Sequence, residues 1–183
     1  GDYAAAQEAI VPEKLGRSHV FYLPYLMGER SPINDTNARA VFLGMTMDTT
    51  RADMTQAMLE GVAFALRDSV EVARSLGLDI SRSTLCGGGS RSPLWRTILA
   101  NVLGIPLDLP ATGQGPGYGA ALLALVACGR YRNVAEVSRA MLHIQATVQP
   151  DPELTALYDA RYAEFKQIYP ACRPLFASLA GTP

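Results

Sequence analysis

Residues 84–109 are TLCGGGSRSPLWRTILANVLGIPLDL, and the order of elements in this stretch decides the fold class. Residues 84–86 are predicted to form a short strand, and three consecutive glycines follow it. Ser92 is a typical helix N-cap and Pro93 a typical first helical residue, so a helix begins there. Residues 105–109 then favour a second strand. A strand, a glycine loop, a helix and a strand in this order predict a βαβ unit, and hence an α/β fold.

The segments before this unit predict two short strands, a long loop and a long helix. The strand candidates are residues 20–23 and 41–46. Between them, residues 24–39 are rich in turn formers and predict an ordered loop. Thr50 and Asp53 form a capping pattern that begins a helix over 51–76. The apolar residues that follow at helical spacing, and that we expect in the core, are Met54, Met58, Val62, Ala65, Val72 and Leu76.

The remaining residues predict three more helices. An apolar helix is expected to end at Gly129, a second lies near 133–142, and a third runs over 151–169 until Pro170 stops it. Neither an internal repeat nor a linker interrupts these segments. We therefore expect residues 1–183 to form a single α/β domain.

The composition is that of a soluble folded protein. The 183 residues are 49% hydrophobic and 18% charged, which are ordinary globular values. The formal net charge of -1, with mixed signs along the chain, gives no basic field for nucleic acid or for an anionic membrane surface. The sequence has no apolar run of the roughly 20 residues that a membrane helix needs, and it does not open with a signal peptide. A cytoplasmic location is therefore expected.

The cysteines and histidines predict neither disulfides nor a metal site. The three cysteines are far apart, and Cys86 and Cys128 are expected to be small core residues. His19 and His143 do not fall at metal-ligand spacing. We assign no metal to the protein itself.

Two glycine-rich turns are the candidate binding features. Gly87, Gly88 and Gly89 lie between a strand and a helix, where their backbone N–H groups can approach a ligand without hindrance from a Cβ atom. Packing alone is an equally good explanation of this loop when it is taken by itself. The second turn, TGQGPGYG at 112–119, contains Gly113, Gly115, Gly117 and Gly119, for which we favour packing.

Candidates for acid–base or covalent chemistry are poor. We expect no carboxylate with a pKa raised by an apolar run, and Asp108 is interpreted equally well as a residue of a strand-end turn. Glu29 and Arg30 could orient a polar pair into a cleft or form a salt bridge between two turns. Cys86 precedes glycines that suit binding better than nucleophilic attack. The sequence therefore predicts binding groups and no catalytic residue.

Several longer stretches together resemble the FGGY carbohydrate kinases. AVFLGMTMDTTRADMTQAMLE at 40–60 is similar to the second signature of that family. YLPYLMGERSP at 22–32 and DTNAR at 35–39 resemble the preceding loop of its xylulokinases. GGGSRSPLWRTILANVLGIPL at 87–107 is similar to the family's adenosine-binding loop and helix, and GPGYGAALLA at 115–124 to its next turn. The resemblance covers nearly the whole chain.

The resemblance implies a fold and a set of nucleotide contacts. The expected fold is an actin-like ATPase (ribonuclease-H-like) domain, of which this chain is most of the C-terminal lobe, incomplete at its N-terminal side. Gly88 and Gly89 are expected to lie against the adenosine, Ser92 to form a hydrogen bond near the adenine or ribose, and Gly87 to support the turn. The loop alone suggests phosphate at the helix N-terminus, whereas the resemblance places the adenosine there.

The resemblance also implies a function for a longer parent protein. Such a kinase transfers the γ-phosphoryl group of MgATP to a ketopentose, D-xylulose being expected here. The family's aspartate base and phosphate loops have no counterpart in this sequence, so we expect the N-terminal lobe of the parent to supply them and the chain alone to be inactive. An incomplete sheet could also pair with a second copy as a homodimer. The alternatives are another FGGY sugar kinase, such as a gluconate kinase, and a non-catalytic actin-like module for nucleotide binding or assembly.

Overall fold

The structure is a computed structural model that describes residues 3–111 and 115–180. Within these residues it has six α-helices and five strands. They are α1 (Tyr3–Glu8), β1 (Phe21–Leu23), β2 (Val41–Leu43), α2 (Arg51–Ser75), β3 (Ser83–Thr84), α3 (Pro93–Leu103), β4 (Leu107–Pro110), α4 (Pro116–Ala127), α5 (Val134–Met141), β5 (Ile144–Val148) and α6 (Pro152–Ala180). The predicted α/β class is confirmed.

The βαβ unit forms where the sequence predicts it. Strands β3 and β4 are parallel and α3 connects them, while β5 pairs antiparallel with the other side of β4. Ser92 caps α3, because its Oγ accepts a hydrogen bond from Trp95 N at 3.1 Å. Gly104, in the left-handed conformation with φ 63°, ends the helix. These caps fix the point at which the chain leaves the glycine loop.

The first two strands form a separate antiparallel pair that packs on α2. The predicted capping box of Thr50 and Asp53 begins this helix. Gly61 faces β1 so closely that a Cβ atom there would lie 2.0 Å from the carbonyl oxygen of Tyr22. The contact between α2 and β1 therefore requires glycine at this position.

The buried face of α2 differs from the predicted one. Met58 and Val62, which we expected in the core, are 44% and 40% exposed, and Val72 and Leu76 are also exposed. The buried residues of the helix are Gln56, Ala57, Leu59, Glu60, Gly61, Ala63 and Phe64. Two of them are polar, and a hydrophobic pattern assigns polar residues to the surface. The prediction was wrong because burial of these polar groups is compensated by distant hydrogen-bond partners.

Glu60 is the centre of that buried polar network, which joins α2 to α6. Its Oε1 accepts hydrogen bonds from Gln56 Nε2 at 2.8 Å and from Tyr158 OH at 3.1 Å. Its Oε2 lies 3.1 Å from Nη2 of Arg161, a residue of α6 that is also buried. Phe64 packs beside this network against Tyr158 and Phe165, with ring centroids 6.0 and 5.2 Å away. The network thus orients the two longest helices around one aromatic core.

Helix α6 continues through Pro170 and Pro174 to Ala180, so the predicted end at Pro170 is wrong. A proline inside a helix removes one backbone hydrogen bond and normally destabilises it. Here the last turns are anchored by packing, because Phe176 is buried and its ring centroid lies 6.4 Å from that of Tyr169. Tertiary contacts therefore offset the local preference.

Two cysteines also lie elsewhere than expected. Cys86 and Cys128, predicted as core residues, are both exposed. Cys86 follows β3 in the glycine loop, and Cys128 is the C-cap of α4, so neither lies on a buried face.

Of the helices in the described ranges, none is long and apolar enough to cross a membrane.

Candidate functional site

The loop between β3 and α3 has a defined conformation. Gly87 has φ 84° and ψ -174°, a combination that only glycine adopts readily. Gly88–Arg91 then form one turn of 3-10 helix. Ser90 Oγ donates a hydrogen bond to the Gly87 carbonyl at 2.7 Å, and the guanidinium of Arg96 donates to the Ser90 carbonyl. Hydrogen bonds from Ser90 and from Arg96 of α3 therefore hold the loop in this conformation.

Gly88 and Gly89 differ in the space that a side chain would find at each position. A Cβ atom at Gly88 would meet no protein atom within 4 Å, and its φ lies outside the left-handed region. Neither packing nor backbone strain accounts for glycine at that position. Gly89 differs, because a Cβ atom there would lie 3.3 Å from Cδ1 and Nε1 of Trp95. The position of Gly88 is therefore open, whereas a side chain at Gly89 would crowd the indole of Trp95.

A cavity of about 700 Å³ opens beside this loop. Its lining residues are Gln7, Glu8, Gly88, Gly89, Arg91, Ser92, Pro93 and Leu94. This volume is typical of a site for a small molecule, and it is about twice the 360 Å³ of the cavity beside Asp35 and Tyr169. Three of the four predicted site residues line the cavity. Gly87 does not line it and precedes the turn that does.

Helix α1 contributes a wall of the cavity that was not predicted from the sequence. Gln7 is only 9% exposed, and its Oε1 accepts a hydrogen bond from Ser92 Oγ at 2.5 Å. Glu8 lines the cavity next to it. No local motif marks these residues, because their role depends on a contact that spans 85 positions of sequence. Only the folded chain brings them to the loop.

The second glycine turn lies beside the first. A Cβ atom at Gly115 would be 3.5 Å from Cys86 Sγ and 3.9 Å from Gly87 N. At Gly117 and Gly119 it would meet no atom within 4 Å, so the packing interpretation is wrong for these two glycines. Gly113 lies outside the described residues. The start of α4 thus adjoins the glycine loop, and Gly115 and Gly119 line a cavity of their own with Cys86.

The polar candidates outside the glycine loop, as far as the structure describes them, make structural contacts. Asp108 is buried inside β4, not in a turn: it accepts a hydrogen bond from Thr147 Oγ1 at 2.6 Å and lies 3.3 Å from Arg82 Nη1. Glu29 and Arg30 form no salt bridge within the described residues. Glu29 Oε1 instead accepts a hydrogen bond from Ser31 N. Within residues 3–111 and 115–180, no group of three or more His, Cys, Asp or Glu side chains could hold a metal ion.

Asp68 is an exception to our expectation that no carboxylate has a raised pKa. Burial raises the pKa of Asp68, and the hydrogen bond from Tyr162 OH at 2.6 Å only partly opposes this effect. The residue lines a separate groove with Tyr25 and Tyr162, not the cavity of the glycine loop. Its burial depends on the packing of α6, which the local sequence does not reveal.

Comparison with known proteins relates this geometry to a family. The model of the C-terminal domain of the FGGY family of carbohydrate kinases matches residues 2–128. The xylulose kinase of Escherichia coli K12 is 37% identical over 175 residues, which are 95% of this chain and 35% of that protein. The chain thus spans about a third of the length of this relative.

Solved structures agree with the sequence relatives. A ligand-bound xylulose kinase from Lactobacillus acidophilus superposes with a TM-score of 0.85 at 25% identity, over 97% of this chain and 36% of that one. A gluconate kinase from the same organism gives a TM-score of 0.84, also at 25% identity, over 97% and 35%. These neighbours confirm the predicted actin-like ATPase fold. The chain therefore belongs to the FGGY family of carbohydrate kinases, whose C-terminal domain its residues 2–128 match.

Proposed function

We propose that this chain forms the adenosine side of the ATP site of a carbohydrate kinase. The complete parent transfers the γ-phosphoryl group of MgATP to a ketopentose, D-xylulose. Gly88, Gly89 and Ser92 contact the nucleoside, and Gly87 supports their turn. The observation that carries the proposal is the cavity of about 700 Å³ that Gly88, Gly89 and Ser92 line together.

The chemistry divides the work between this chain and the rest of the parent. The bond from the γ-phosphorus to the β–γ bridging oxygen breaks, a bond from phosphorus to a sugar oxygen forms, and ADP leaves. The proton of the sugar hydroxyl passes to a base that we assign to the N-terminal lobe. Phosphoryl transfer depends chiefly on positioning and on charge stabilisation. This chain therefore contributes nucleotide positioning, and we expect no turnover from it alone.

Magnesium does not fit a site made by this chain alone. In the part of the chain that the structure describes, no three His, Cys, Asp or Glu side chains lie close enough together to hold a metal ion. Mg²⁺ prefers oxygen ligands and commonly keeps water and phosphate among them. We therefore assign the ion to the phosphates of ATP in the complete enzyme, and no step of the proposal depends on residues of this chain binding it.

The sugar is assigned from the relatives. The relative from E. coli is named a xylulose kinase, which favours a ketopentose. Gluconate is the second candidate, because the gluconate kinase from L. acidophilus matches the fold almost equally well. The full-length parent with a panel of D-xylulose and gluconate would separate them, since the preferred substrate should have the higher kcat/KM.

The proposed partners are ATP, the sugar and the N-terminal lobe of the same parent in the cytoplasm. A homodimer is also proposed, because Met58, Val62 and Leu66 expose apolar side chains along α2. Sedimentation of the chain at several concentrations tests the dimer. A mass of one chain at every concentration would exclude it.

Titration of ATP against the wild-type chain and Gly88→Val tests the nucleotide assignment. Trp95 is the only tryptophan and its indole contacts Gly89, so its fluorescence reports on the loop. We expect ATP to change the wild-type signal saturably and the valine to weaken binding about tenfold or more, a loss of roughly 1.4 kcal/mol.

The control is Ala163→Val, which places valine on an exposed position of α6 away from the cavity. It should bind ATP as the wild type does. Equal affinities of wild type and a folded Gly88→Val would contradict the adenosine assignment. Sugar-dependent release of ADP by the pure 183-residue chain would contradict its proposed inactivity.

A further inference from the structure

Gln7 is a polar residue inside the cavity wall that no sequence motif marks. It is 9% exposed, lies on α1 and lines the cavity together with Gly88 and Ser92. A carboxamide in such a position provides one acceptor oxygen and two N–H donors. The hydrogen bonds that Gln7 makes within the protein decide which of these groups can still bind a ligand.

The hydroxyl of Ser92 has little capacity left for a ligand. It donates its one proton to Gln7 Oε1 at 2.5 Å and accepts a hydrogen bond from Trp95 N at 3.1 Å. A serine hydroxyl has a single donor and two acceptor lone pairs. Ser92 can therefore offer a nucleoside one lone pair, but it cannot donate to an adenine nitrogen or a ribose oxygen.

The amide nitrogen of Gln7 is in the opposite situation. Its Oε1 is occupied by Ser92, whereas no acceptor for Nε2 is found among the described residues. Nor is Nε2 one of the buried atoms left without a partner, which are Arg67 Nε and Arg161 Nε. Because Gln7 lines the cavity, Nε2 can donate to a ligand there without giving up a hydrogen bond to any described residue.

The wall next to Gln7 favours an uncharged part of the ligand. Glu8 lies beside Gln7 on the same short helix, and its carboxylate disfavours phosphate on that side, whereas Arg91 of the glycine loop is the cation that also lines the cavity. Pro93 and Leu94 contribute apolar surface. A nucleoside supplies both ring nitrogens or ribose oxygens as acceptors and an apolar face, so it matches this wall better than the triphosphate does.

We propose that Gln7 is a further nucleotide-binding residue: Ser92 orients its carboxamide, and Gln7 Nε2 donates a hydrogen bond to an acceptor of the nucleoside. This inference rests on the proposed ATP site and adds a donor from α1 to it. Ser92 then acts mainly through Gln7, in addition to capping α3.

The decisive variant is Gln7→Glu, because it keeps the size of the side chain and an oxygen for Ser92 but removes both donors. Adenosine is the main probe, since an uncharged ligand has no phosphates for the new carboxylate to repel. We expect Gln7→Glu to bind adenosine about five- to tenfold more weakly than wild type in the Trp95 titration. Gln7→Leu should show a similar loss.

Two controls separate binding from folding. Gln167→Glu makes the same chemical change at an exposed position of α6 and should leave adenosine binding unchanged. Thermal unfolding of each variant shows that the chain remains folded.

Each outcome decides one of the two proposals. If Gln7→Glu and Gln7→Leu bind adenosine as wild type does while Gly88→Val weakens ATP, the ATP site stands and the role of Gln7 is refuted. If Gln7→Glu and Gln7→Leu weaken adenosine binding only together with a loss of thermal stability, Gln7 acts through the fold and the inference is also refuted. If the wild type binds neither ATP nor adenosine, the proposed site itself is refuted and the inference with it.

Discussion

Ser92 Oγ donates a hydrogen bond of 2.5 Å to Oε1 of Gln7, a residue 85 positions earlier in the sequence. The same oxygen caps α3 by accepting from Trp95 N. One side chain therefore fixes both the start of the helix behind the glycine loop and the orientation of a side chain in the cavity wall. The two roles can be separated by experiment.

Replacing Ser92 by alanine should reduce both stability and nucleoside binding. Loss of the N-cap costs about 1 kcal/mol of unfolding free energy, and the freed carboxamide of Gln7 should lower the affinity for adenosine. Thr50→Ala is the matched control, because it removes the cap of α2 outside the cavity. Urea unfolding should give a similar loss for both variants, whereas calorimetry should show weaker adenosine binding only for Ser92→Ala. Equal adenosine binding by both would contradict the double role.

Alanine should destabilise the chain at Gly87 but hardly affect its stability at Gly88. Gly87→Ala forces a side chain into a backbone conformation that costs about 1–3 kcal/mol. Gly88→Ala meets no neighbouring atom and should change the free energy of unfolding by less than about 0.5 kcal/mol. Chemical denaturation of the two variants measures this difference. A large loss for Gly88→Ala would show that the protein itself needs glycine there.

The contact of α2 with β1 predicts a second contrast between glycines. Gly61→Ala would place Cβ 2.0 Å from the Tyr22 carbonyl oxygen, and moving the helix or the strand should cost at least about 2 kcal/mol. Gly119→Ala lies in open space within α4 and should stabilise the chain by about 0.5–1 kcal/mol. Thermal and urea unfolding should rank the variants in that order. A tolerated Gly61→Ala would contradict the close packing.

Asp68 predicts a pH dependence of known sign. Burial raises the pKa of Asp68 in the folded chain above its value in the unfolded chain, so the folded state binds more protons in the interval between the two pKa values. Its contribution to stability is complete below the unfolded pKa and is lost as the pH rises through the folded pKa. The charged groups that also act on Asp68 are Lys166, Arg67 and Glu29.

Asp68→Asn should remove this titration. The unfolding free energy of wild type minus that of Asp68→Asn should therefore decrease as the pH is raised from strongly acidic to neutral. Urea unfolding at a series of pH values measures the difference, in which the other titrating groups largely cancel. A difference that increases with pH would contradict the direction of the pKa shift.

Local chemistry explains which parts of the fold could be predicted from the sequence. Ser92, Gly104 and the pair Thr50 and Asp53 act on the backbone within a few residues, so their capping roles are visible in the sequence. The glycine loop was likewise located because its neighbours are a strand and a helix cap. Its contact with a nucleotide stays a prediction.

Distant partners explain what could not be predicted. Glu60 is polar yet buried, because Tyr158 and Arg161 of another helix bind its carboxylate. Pro170 fails to end α6 because the following turns pack on the core. Gln7 enters the cavity wall through a partner 85 residues away. In each case the deciding contact is tertiary, and no pattern in the local sequence contains it.

Binding of adenosine at the glycine loop can be followed residue by residue by NMR of the ¹⁵N-labelled chain titrated with ATP. We expect the largest shifts at the amides of Gly88, Gly89 and Ser92, at the Trp95 indole N–H and at the side-chain amide of Gln7. Adenosine should reproduce most of them. Shifts concentrated instead around the cavity of Asp35 and Tyr169, or unchanged amides at Gly88 and Gly89 under saturating ATP, would show that the nucleoside does not bind at this loop.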